Sequence, residues 1–280
     1  MHVTLFTPDS SYDQFRDLWM GRIAMYRDLL EPLGVGIDPV AWTHARPNQP
    51  ALALLSWGYH LQPARWDTLL ASWPDEVAIL NPAALLRWNS DKRYLAELEA
   101  KGVAIVPTRF AARADEAELD AARTAFAVDE LVVKPRISAA ASYTTRVPRG
   151  AEPPNLVDAM IQPFMPSVQA EGELSIFYFG GQRAHAVRKV AAPGDFRVQR
   201  EYGGAFTAVE PSPAEIAVAE AALAALPLQP FYARIDLIPD AEGNPLVMEV
   251  ELIEPDLYLD FAPDRGAGFA QRLVASLQAR

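Results

Sequence analysis

The chain has 280 residues, of which 50% are hydrophobic and 22% charged, and this composition excludes a mostly disordered protein. Its 25 basic and 36 acidic residues give a formal net charge of −11, which disfavours nucleic acid or an anionic membrane as a partner. It contains no cysteine, which excludes disulfides, thiolate metal sites and cysteine nucleophiles, and its four histidines lack the spacing of a zinc site.

The first third of the chain alternates predicted strands and helices. Apolar residues recur at steps of three and four from Phe15 to Leu33, which predicts an amphipathic helix that ends at Gly34. The other predicted elements of this region are the strands 3–7, 35–43, 51–57 and 76–80 and a helix over 65–73. This order predicts a small parallel sheet with helices on its faces. No GxGxxG motif follows the first strand, so a dinucleotide-binding lobe is not supported.

The rest of the chain is predicted to mix strands, hairpins and helices. Ser212 opens a capping box with proline at the first helical position, which predicts a helix to about Leu226. The further predicted helices cover 90–102, 114–127, 155–160 and 268–277. The predicted strands cover 103–108, 130–134, 174–179, 184–190, 233–238 and 246–252, with Gly180 and Gly181 at the turn of one hairpin.

The sequence shows no targeting or membrane-spanning segment. The N-terminal segment lacks the basic start and the apolar core of a signal peptide. No apolar run approaches the ~20 residues that a bilayer-spanning helix needs. We therefore expect a cytoplasmic protein.

The most informative segment is an acidic hairpin near the C-terminus. Alternation along a strand puts Arg234 and Asp236 on one face, and Glu249 and Glu251 likewise share a face. If the strands pair across the turn 239–245, Asp236 falls opposite or nearly opposite Glu249, with side-chain roots roughly 5 Å apart. Such carboxylates destabilise a sheet unless something neutralises them, and oxygen-only ligands suit Mg²⁺. A solvated acidic face is the alternative that stays open.

Basic residues precede or follow short polar loops at three places. Lys134 ends an apolar strand and is followed by the small-residue loop 138–142, whose backbone N–H groups could approach an anion. Lys92 follows a predicted helix cap, and Arg197 and Arg200 lie in a glycine-bounded loop. These cations could hold phosphate or carboxylate groups. Taken singly, each also fits an ordinary solvated surface position.

Five segments in this order resemble the ATP-grasp superfamily: NSDKRYL, VVKP with its small-residue loop, IQPFMPSVQAEGELSIFYFGG, GDFRVQREYGG and YARIDLI…LVMEVELIEP. The resemblance runs from about Asn81 to the C-terminus, with the glutathione synthetase branch as the nearest broad match. The stretches WGYH, LRWNSDKRYL, GELSIFYF and ELIEPDLYL are most similar to O-ureido-D-serine cyclo-ligases. The resemblance implies an α/β protein with a pre-ATP-grasp βαβ domain over 1–85. A central ATP-grasp lobe over 86–165 and a C-terminal lobe over 166–280 would follow.

The resemblance implies an ATP site between these lobes. Lys92 and Lys134 resemble the two lysines that contact the phosphates and the adenine of ATP. The segment Gln162, Pro163 and Phe164 matches the hinge whose backbone reads the adenine edge.

It also implies roles for nearby polar residues. Glu171 or Glu173 would meet the ribose. Arg197 matches the arginine that stabilises the transferred phosphoryl group and the acyl phosphate, with Arg200 or Arg234 as the other candidates for that role.

The acidic hairpin matches the metal site of the superfamily. Asp236, Glu249 and Glu251 correspond to the Mg²⁺ ligands, and two ions are expected. Two features depart from the usual pattern. The loop 138–142 lacks the usual glycine pair, and Glu251 stands where most of the superfamily has asparagine.

The implied chemistry begins when a substrate carboxylate attacks the γ-phosphate of ATP, while Mg²⁺ and cations neutralise the developing charge. An amine then attacks the acyl phosphate, and ADP and phosphate leave. No protein nucleophile is needed, and the sequence shows no GxSxG motif or recognisable triad. We expect an ATP-dependent carboxylate–amine ligase that joins two molecules or closes a ring within one. A ligase that adds an amino acid to a peptide or protein, and a nucleotide-binding protein without turnover, are the alternatives.

The substrate is expected to be a small amino-acid-like molecule. Trp57, Tyr59 and His60 follow a predicted strand at its carboxyl end, where open α/β sheets place ligands, so we expect them to face the acceptor site. Trp57 would also fit a core position, and Arg200 is a further candidate for substrate binding. We also expect a homo-oligomer.

Overall fold

Three sheets form the framework of the part of the chain that the computed structural model describes, residues 1–12, 14–139, 143–192, 198 and 203–279. The first has the order β2-β1-β3-β4, the second β5-β8-β6-β7 and the third β11-β10-β9-β12-β13. The thirteen strands are β1 (His2–Thr7), β2 (Gly36–Ala41), β3 (Ala51–Leu52), β4 (Ile79–Leu80), β5 (Arg109–Arg113), β6 (Leu131–Pro135), β7 (Thr145–Val147), β8 (Val157–Pro163), β9 (Glu173–Phe179), β10 (Gln182–Val190), β11 (Ala205–Ala208), β12 (Tyr232–Pro239) and β13 (Pro245–Glu251).

Eight α-helices connect or cover these strands within the described residues. They are α1 (Arg16–Leu30), α2 (Pro63–Ala71), α3 (Ala83–Asn89), α4 (Tyr94–Ala100), α5 (Glu116–Phe126), α6 (Ser167–Ala170), α7 (Pro213–Ala224) and α8 (Ala267–Gln278). The described helices are all too short or too polar to cross a membrane. The capping box predicted at Ser212 is present, because its side chain accepts from Glu215 N–H while the Glu215 carboxylate accepts from Ser212 N–H.

The first sheet is parallel throughout, which confirms the prediction for the N-terminal third. Helix α1 lies within the predicted span, and Gly34 follows it with a φ of 79° that favours glycine. Strand β3 is much shorter than predicted. The reason is a turn in which Ser56 bonds the carbonyl of Ala53 through both its N–H and its hydroxyl. This turn redirects the chain toward residues 57–60.

The prediction of a helix over 155–160 is wrong. This region belongs to β8, which lies between β5 and β6 and pairs with both in antiparallel register. Ala159, Met160 and Ile161 are fully buried, so the strand has apolar residues on both faces and shows no alternation in the sequence. The predicted strand over 103–108 is reduced to a single bridge at Ile105, and β5 begins only at Arg109.

The predicted acidic hairpin is formed by β12 and β13. Asp236 pairs directly with Glu249, and Arg234 pairs with Glu251. The register of the two strands shifts after Asp236, so that Leu237 pairs with Val247. The expectation that these charged side chains share one face of adjacent strands is therefore confirmed.

Buried amide side chains join the first sheet to this hairpin. Asn81 is fully buried and makes four hydrogen bonds to the backbone of Phe231, Tyr232 and Leu252. Asn89 bonds the backbone of Val250 and Leu252 in the same way. These contacts fix the ends of the hairpin relative to the N-terminal lobe.

Candidate active site

One cavity lies where the three sheets meet, and it collects most of the residues that the sequence singles out. Its lining includes Trp57, Tyr59, His60, Lys92, Lys134, Gln162, Pro163, Phe164, Glu173, Arg234, Asp236, Glu249 and Glu251. Glu171 is exposed and does not line this cavity. Arg197 and Arg200 lie outside the described residues. We call the part formed by Lys134, Gln162 and Phe164 the nucleotide side, and the part formed by Trp57, Tyr59 and His60 the substrate side.

The acidic hairpin faces this cavity and is not a solvated surface. Asp236 is only 2% exposed, and it accepts hydrogen bonds from Ser175 Oγ (2.5 Å) and from Arg234 Nε (3.0 Å) and Nη2 (3.0 Å). Burial alone would raise the pKa of Asp236, but the charges of Arg234 and Lys189 outweigh it and hold the pKa below its usual value. Asp236 is thus an ionised, buried carboxylate.

The two glutamates of the hairpin pair with different cations. Glu251 forms an ion pair with Arg234, and Glu249 Oε1 lies 3.0 Å from Lys92 Nζ. Burial, reinforced by Glu249 and Asp236 and opposed by Arg234, raises the pKa of Glu251 to about 8. For Glu249, Lys92 and Lys134 overcome the cost of burial and lower the pKa. Three carboxylates therefore crowd one wall of the cavity.

The donor chemistry of this wall fits Mg²⁺. Asp236, Glu249 and Glu251 offer oxygen atoms only, from adjacent strands and into one cavity. Within the described ranges, no three His, Asp or Glu side chains are already arranged around a common point as metal ligands. Arg234 and Lys92 hold these carboxylates as ion pairs.

The two predicted lysines of the nucleotide site differ in their contacts. Lys92 is 7% exposed, and its Nζ donates to Ser138 O (2.7 Å) besides pairing with Glu249. Lys134, on β6, makes no ion pair or side-chain hydrogen bond with another described residue. Burial lowers the pKa of Lys134, and the nearby Glu249 counteracts this. The Lys134 ammonium is available to an incoming anion.

The predicted hinge lies at the end of β8. Gln162 pairs with Val132 in the sheet, and its side-chain amide donates to Thr108 Oγ1 (2.8 Å). Phe164 N–H donates to Glu130 O (2.9 Å), and the Arg146 guanidinium lies 3.8 Å from the centre of the Phe164 ring. These contacts hold an apolar wall in place beside Lys134.

A buried ion pair that the sequence argument did not identify lies behind the acidic wall. Lys189 is 3% exposed, pairs with Glu173 on the neighbouring strand, and has its Nζ 3.5 Å from Asp236 Oδ2. Burial, opposed by Lys189, raises the pKa of Glu173 to about 7. The sequence held one signal for this residue, because Lys189 is one of only four lysines in the chain.

The substrate side begins at Gly58, whose φ of 86° lets the chain bend there. A Cβ at this position would lie 2.8 Å from the Tyr12 ring, so only glycine fits. Tyr59 packs on Trp66, with ring centres 5.3 Å apart, and lines the cavity from this core position. Burial, with a smaller effect of Lys92, lowers the pKa of His60 to about 4, so the ring is neutral near pH 7.

The loop after β13 adds acidic residues that the sequence argument did not name as site residues. Glu254 and Asp256 both line the cavity. Asp256 accepts a hydrogen bond from Arg22 Nη2 of α1 (2.6 Å), which ties the loop to the N-terminal lobe. Loop residues have no periodicity, so only the folded chain shows that they face the site.

No family model matches the chain. It is 35% identical to the cycloserine biosynthesis protein DcsG of Streptomyces lavendulae over 224 residues, which are 71% of this chain and 74% of that protein. The crystal structure of the D-cycloserine synthetase DcsG matches 99% of this chain and 100% of that chain with a TM-score of 0.81 and 28% identity. The ATP-grasp ligase PsnB, solved with a precursor variant, Mg and ADP, matches 99% of this chain and 98% of its own with a TM-score of 0.68 and 14% identity.

Proposed function

Because the chain belongs to the ATP-grasp ligases, as an ATP-dependent carbon–nitrogen ligase for small amino-acid-like substrates, we propose that it closes a ring within one substrate molecule. The substrate we propose is an O-substituted D-serine such as O-ureido-D-serine, and the product is a cycloserine-type ring. The similarity to a D-cycloserine synthetase over nearly the whole chain supports this choice.

The observation that carries the proposal is that one cavity contains both a candidate nucleotide site and a candidate substrate site. Its nucleotide side offers the Lys134 ammonium, which forms no ion pair with another described residue, beside an apolar wall, and its substrate side offers aromatic and polar side chains. The acidic hairpin lies in the lining of the same cavity. A carboxylate bound on the substrate side would therefore meet the γ-phosphate within one enclosed space.

We propose the following roles for the residues of the cavity. Lys134 and Lys92 bind phosphate oxygens, and the backbone of Gln162, Pro163 and Phe164 receives the adenine, with Glu173 as the ribose partner. Asp236, Glu249 and Glu251 would hold Mg²⁺, for which we propose two ions. When bound, Mg²⁺ neutralises the charge that develops on the transferred phosphoryl group.

The reaction needs two bond changes at the substrate carboxyl group. Its oxygen bonds to the γ-phosphorus while the bond to ADP breaks. The oxygen-bound nitrogen of the same molecule then attacks the acyl carbon, loses its proton and expels phosphate. In O-ureido-D-serine this nitrogen carries a carbamoyl group, which water would remove as carbon dioxide and ammonia to complete the unsubstituted ring. Arg234, fixed by Asp236 and Glu251, can stabilise the negative charge on this carboxyl group. We assign Arg197 to the acyl phosphate, with Arg200 as a further substrate contact.

The test supplies ATP, Mg²⁺ and O-ureido-D-serine to the purified protein and measures ADP and the cyclic product. We expect both to form in equal amounts without any second amine. ADP release that requires an added amine or peptide would identify an intermolecular ligase. ATP binding without ADP release under either condition would identify a nucleotide-binding protein without turnover.

A further inference from the structure

The geometry points to Glu254 as the acceptor of the substrate's α-ammonium group. This inference rests on the proposed function, because it assumes that the ligand of the substrate side is an α-amino acid. The notable property of Glu254 is that it lines the cavity and that no cation among the described residues forms an ion pair with it.

The other carboxylates of the cavity lining differ from Glu254 in this property. Each other carboxylate of the described lining has a cationic partner: Glu173 with Lys189, Asp236 with Arg234, Glu249 with Lys92, Glu251 with Arg234, and Asp256 with Arg22. Glu254 forms no ion pair or hydrogen bond with another described residue, apart from its own backbone N–H. It lines the cavity and is partly buried.

Burial, reinforced by Glu251 and Glu249, raises the pKa of Glu254 well above its usual value, so its carboxyl group loses its charge unless a ligand supplies a cation. Removing one carboxylate from water without compensation costs several kcal/mol. A substrate ammonium would remove this cost by giving a charge-assisted hydrogen bond.

The position of Glu254 also suits the geometry of an α-amino acid. The ammonium and the carboxyl group are carried by the same carbon, so the ammonium acceptor must lie close to the phosphoryl-transfer site. Glu254 follows Glu251 closely in the chain and lines the same cavity as Glu249, Glu251 and Lys92. Tyr59 of the substrate side belongs to the same lining.

A second unsatisfied group lies in the same part of the cavity. His60 Nδ1 is buried and has no hydrogen-bond partner among the described residues, although His60 lines the cavity.

The experiment compares E254Q with the wild-type protein on two probes, O-ureido-D-serine and its analogue that lacks the α-amino group. E254Q keeps the shape of the side chain and removes its charge. We expect KM for O-ureido-D-serine to rise roughly 10- to 100-fold with kcat changed little, and KM for the analogue to stay unchanged. E99Q, an exposed change outside the cavity, is the matched control and should leave both KM values unchanged.

Two outcomes would overturn the inference. Equal effects of E254Q on both probes would mean that Glu254 does not recognise the ammonium, and a fall in kcat with both would make it a proton acceptor instead. If the wild-type protein shows no turnover, the proposed function fails, and calorimetric binding of the two probes in the presence of a non-hydrolysable ATP analogue still tests Glu254. An equal loss of affinity for both probes, or no loss, would then contradict its role.

Discussion

On the nucleotide side of the cavity, β6 carries Lys134, and near the substrate side the loop after β13 carries Glu254. Both side chains are partly buried, and neither has a partner charge among the described residues. Asp236, Glu249 and Glu251 of the acidic hairpin differ from these two residues, because each of them forms an ion pair with a lysine or an arginine. Lys134 and Glu254 can therefore bind a charged ligand without giving up an ion pair, whereas the three hairpin carboxylates would have to release a cation to hold Mg²⁺.

The ion pairs also determine which carboxylate can be substituted without destabilising the fold. Asp236 is the counter-ion of Arg234 and is supported by Lys189. Removing its charge would leave two buried cations without compensation, which is strongly destabilising. Substitutions that test catalysis therefore belong at Glu249, which is nearer the cavity surface, and not at Asp236.

The largest effect is expected at the junction that fixes the hairpin against the N-terminal lobe. Asn81→Ala removes four buried hydrogen bonds and leaves the backbone groups of Phe231, Tyr232 and Leu252 unsatisfied. We expect the free energy of unfolding to fall by about 3–5 kcal/mol, measured by urea denaturation. The exposed Asn48 supplies the control N48A, which should change stability by less than about 0.5 kcal/mol. Equal effects of both variants would contradict the role of Asn81.

The next effect concerns the acidic hairpin. Glu249→Gln keeps the side-chain shape and removes one proposed metal ligand, so transition-state stabilisation should fall. ADP formation should slow on the order of 10²-fold or more. The matched change Glu242→Gln lies in the exposed turn of the same hairpin and should leave the rate unchanged. Near-normal turnover in Glu249→Gln would mean that the hairpin takes no part in phosphoryl transfer.

A smaller effect is expected on the nucleotide side. Lys134→Met keeps the aliphatic stem and removes the unpaired ammonium, so ATP affinity measured by calorimetry should fall by about tenfold, or ~1.4 kcal/mol. Lys101→Met is the control, since Lys101 is exposed and bonds the carbonyl of Ala225 outside the cavity. Unchanged ATP binding in Lys134→Met would remove this lysine from the nucleotide site.

The smallest effect concerns the acid stability that His60 controls. Its folded-state pKa is about 4, below the usual 6.5, so the folded protein binds fewer protons there than the unfolded chain. Stability from this group is present above pH 6.5 and is lost as the pH falls toward about 4. His60→Gln should therefore flatten the fall in unfolding free energy over this window, measured by denaturation at several pH values. An unchanged slope would show that His60 ionises freely in the folded protein.

The sequence predicts much of this site and the fold around it. Alternation along two strands is sufficient to place Asp236 opposite Glu249, because side-chain direction follows from strand geometry. Strand β8 is mispredicted because a strand buried on both faces carries no alternation to distinguish it from a helix. The sequence does not predict the role of Glu254, because this residue lies in a loop without periodicity. Its lack of an ion pair with a described residue depends on the positions of Lys92, Arg22 and Arg234 in the folded chain.

The central claim is that Lys134 and Glu254, which form no ion pair with another described residue, bind two different ligands. Calorimetry of Lys134→Met and Glu254→Gln, each titrated with ATP–Mg²⁺ and with O-ureido-D-serine, tests it directly. We predict that Lys134→Met weakens ATP binding alone and that Glu254→Gln weakens amino-acid binding alone. Loss of the same ligand by both variants, or of neither ligand by either variant, would contradict the claim.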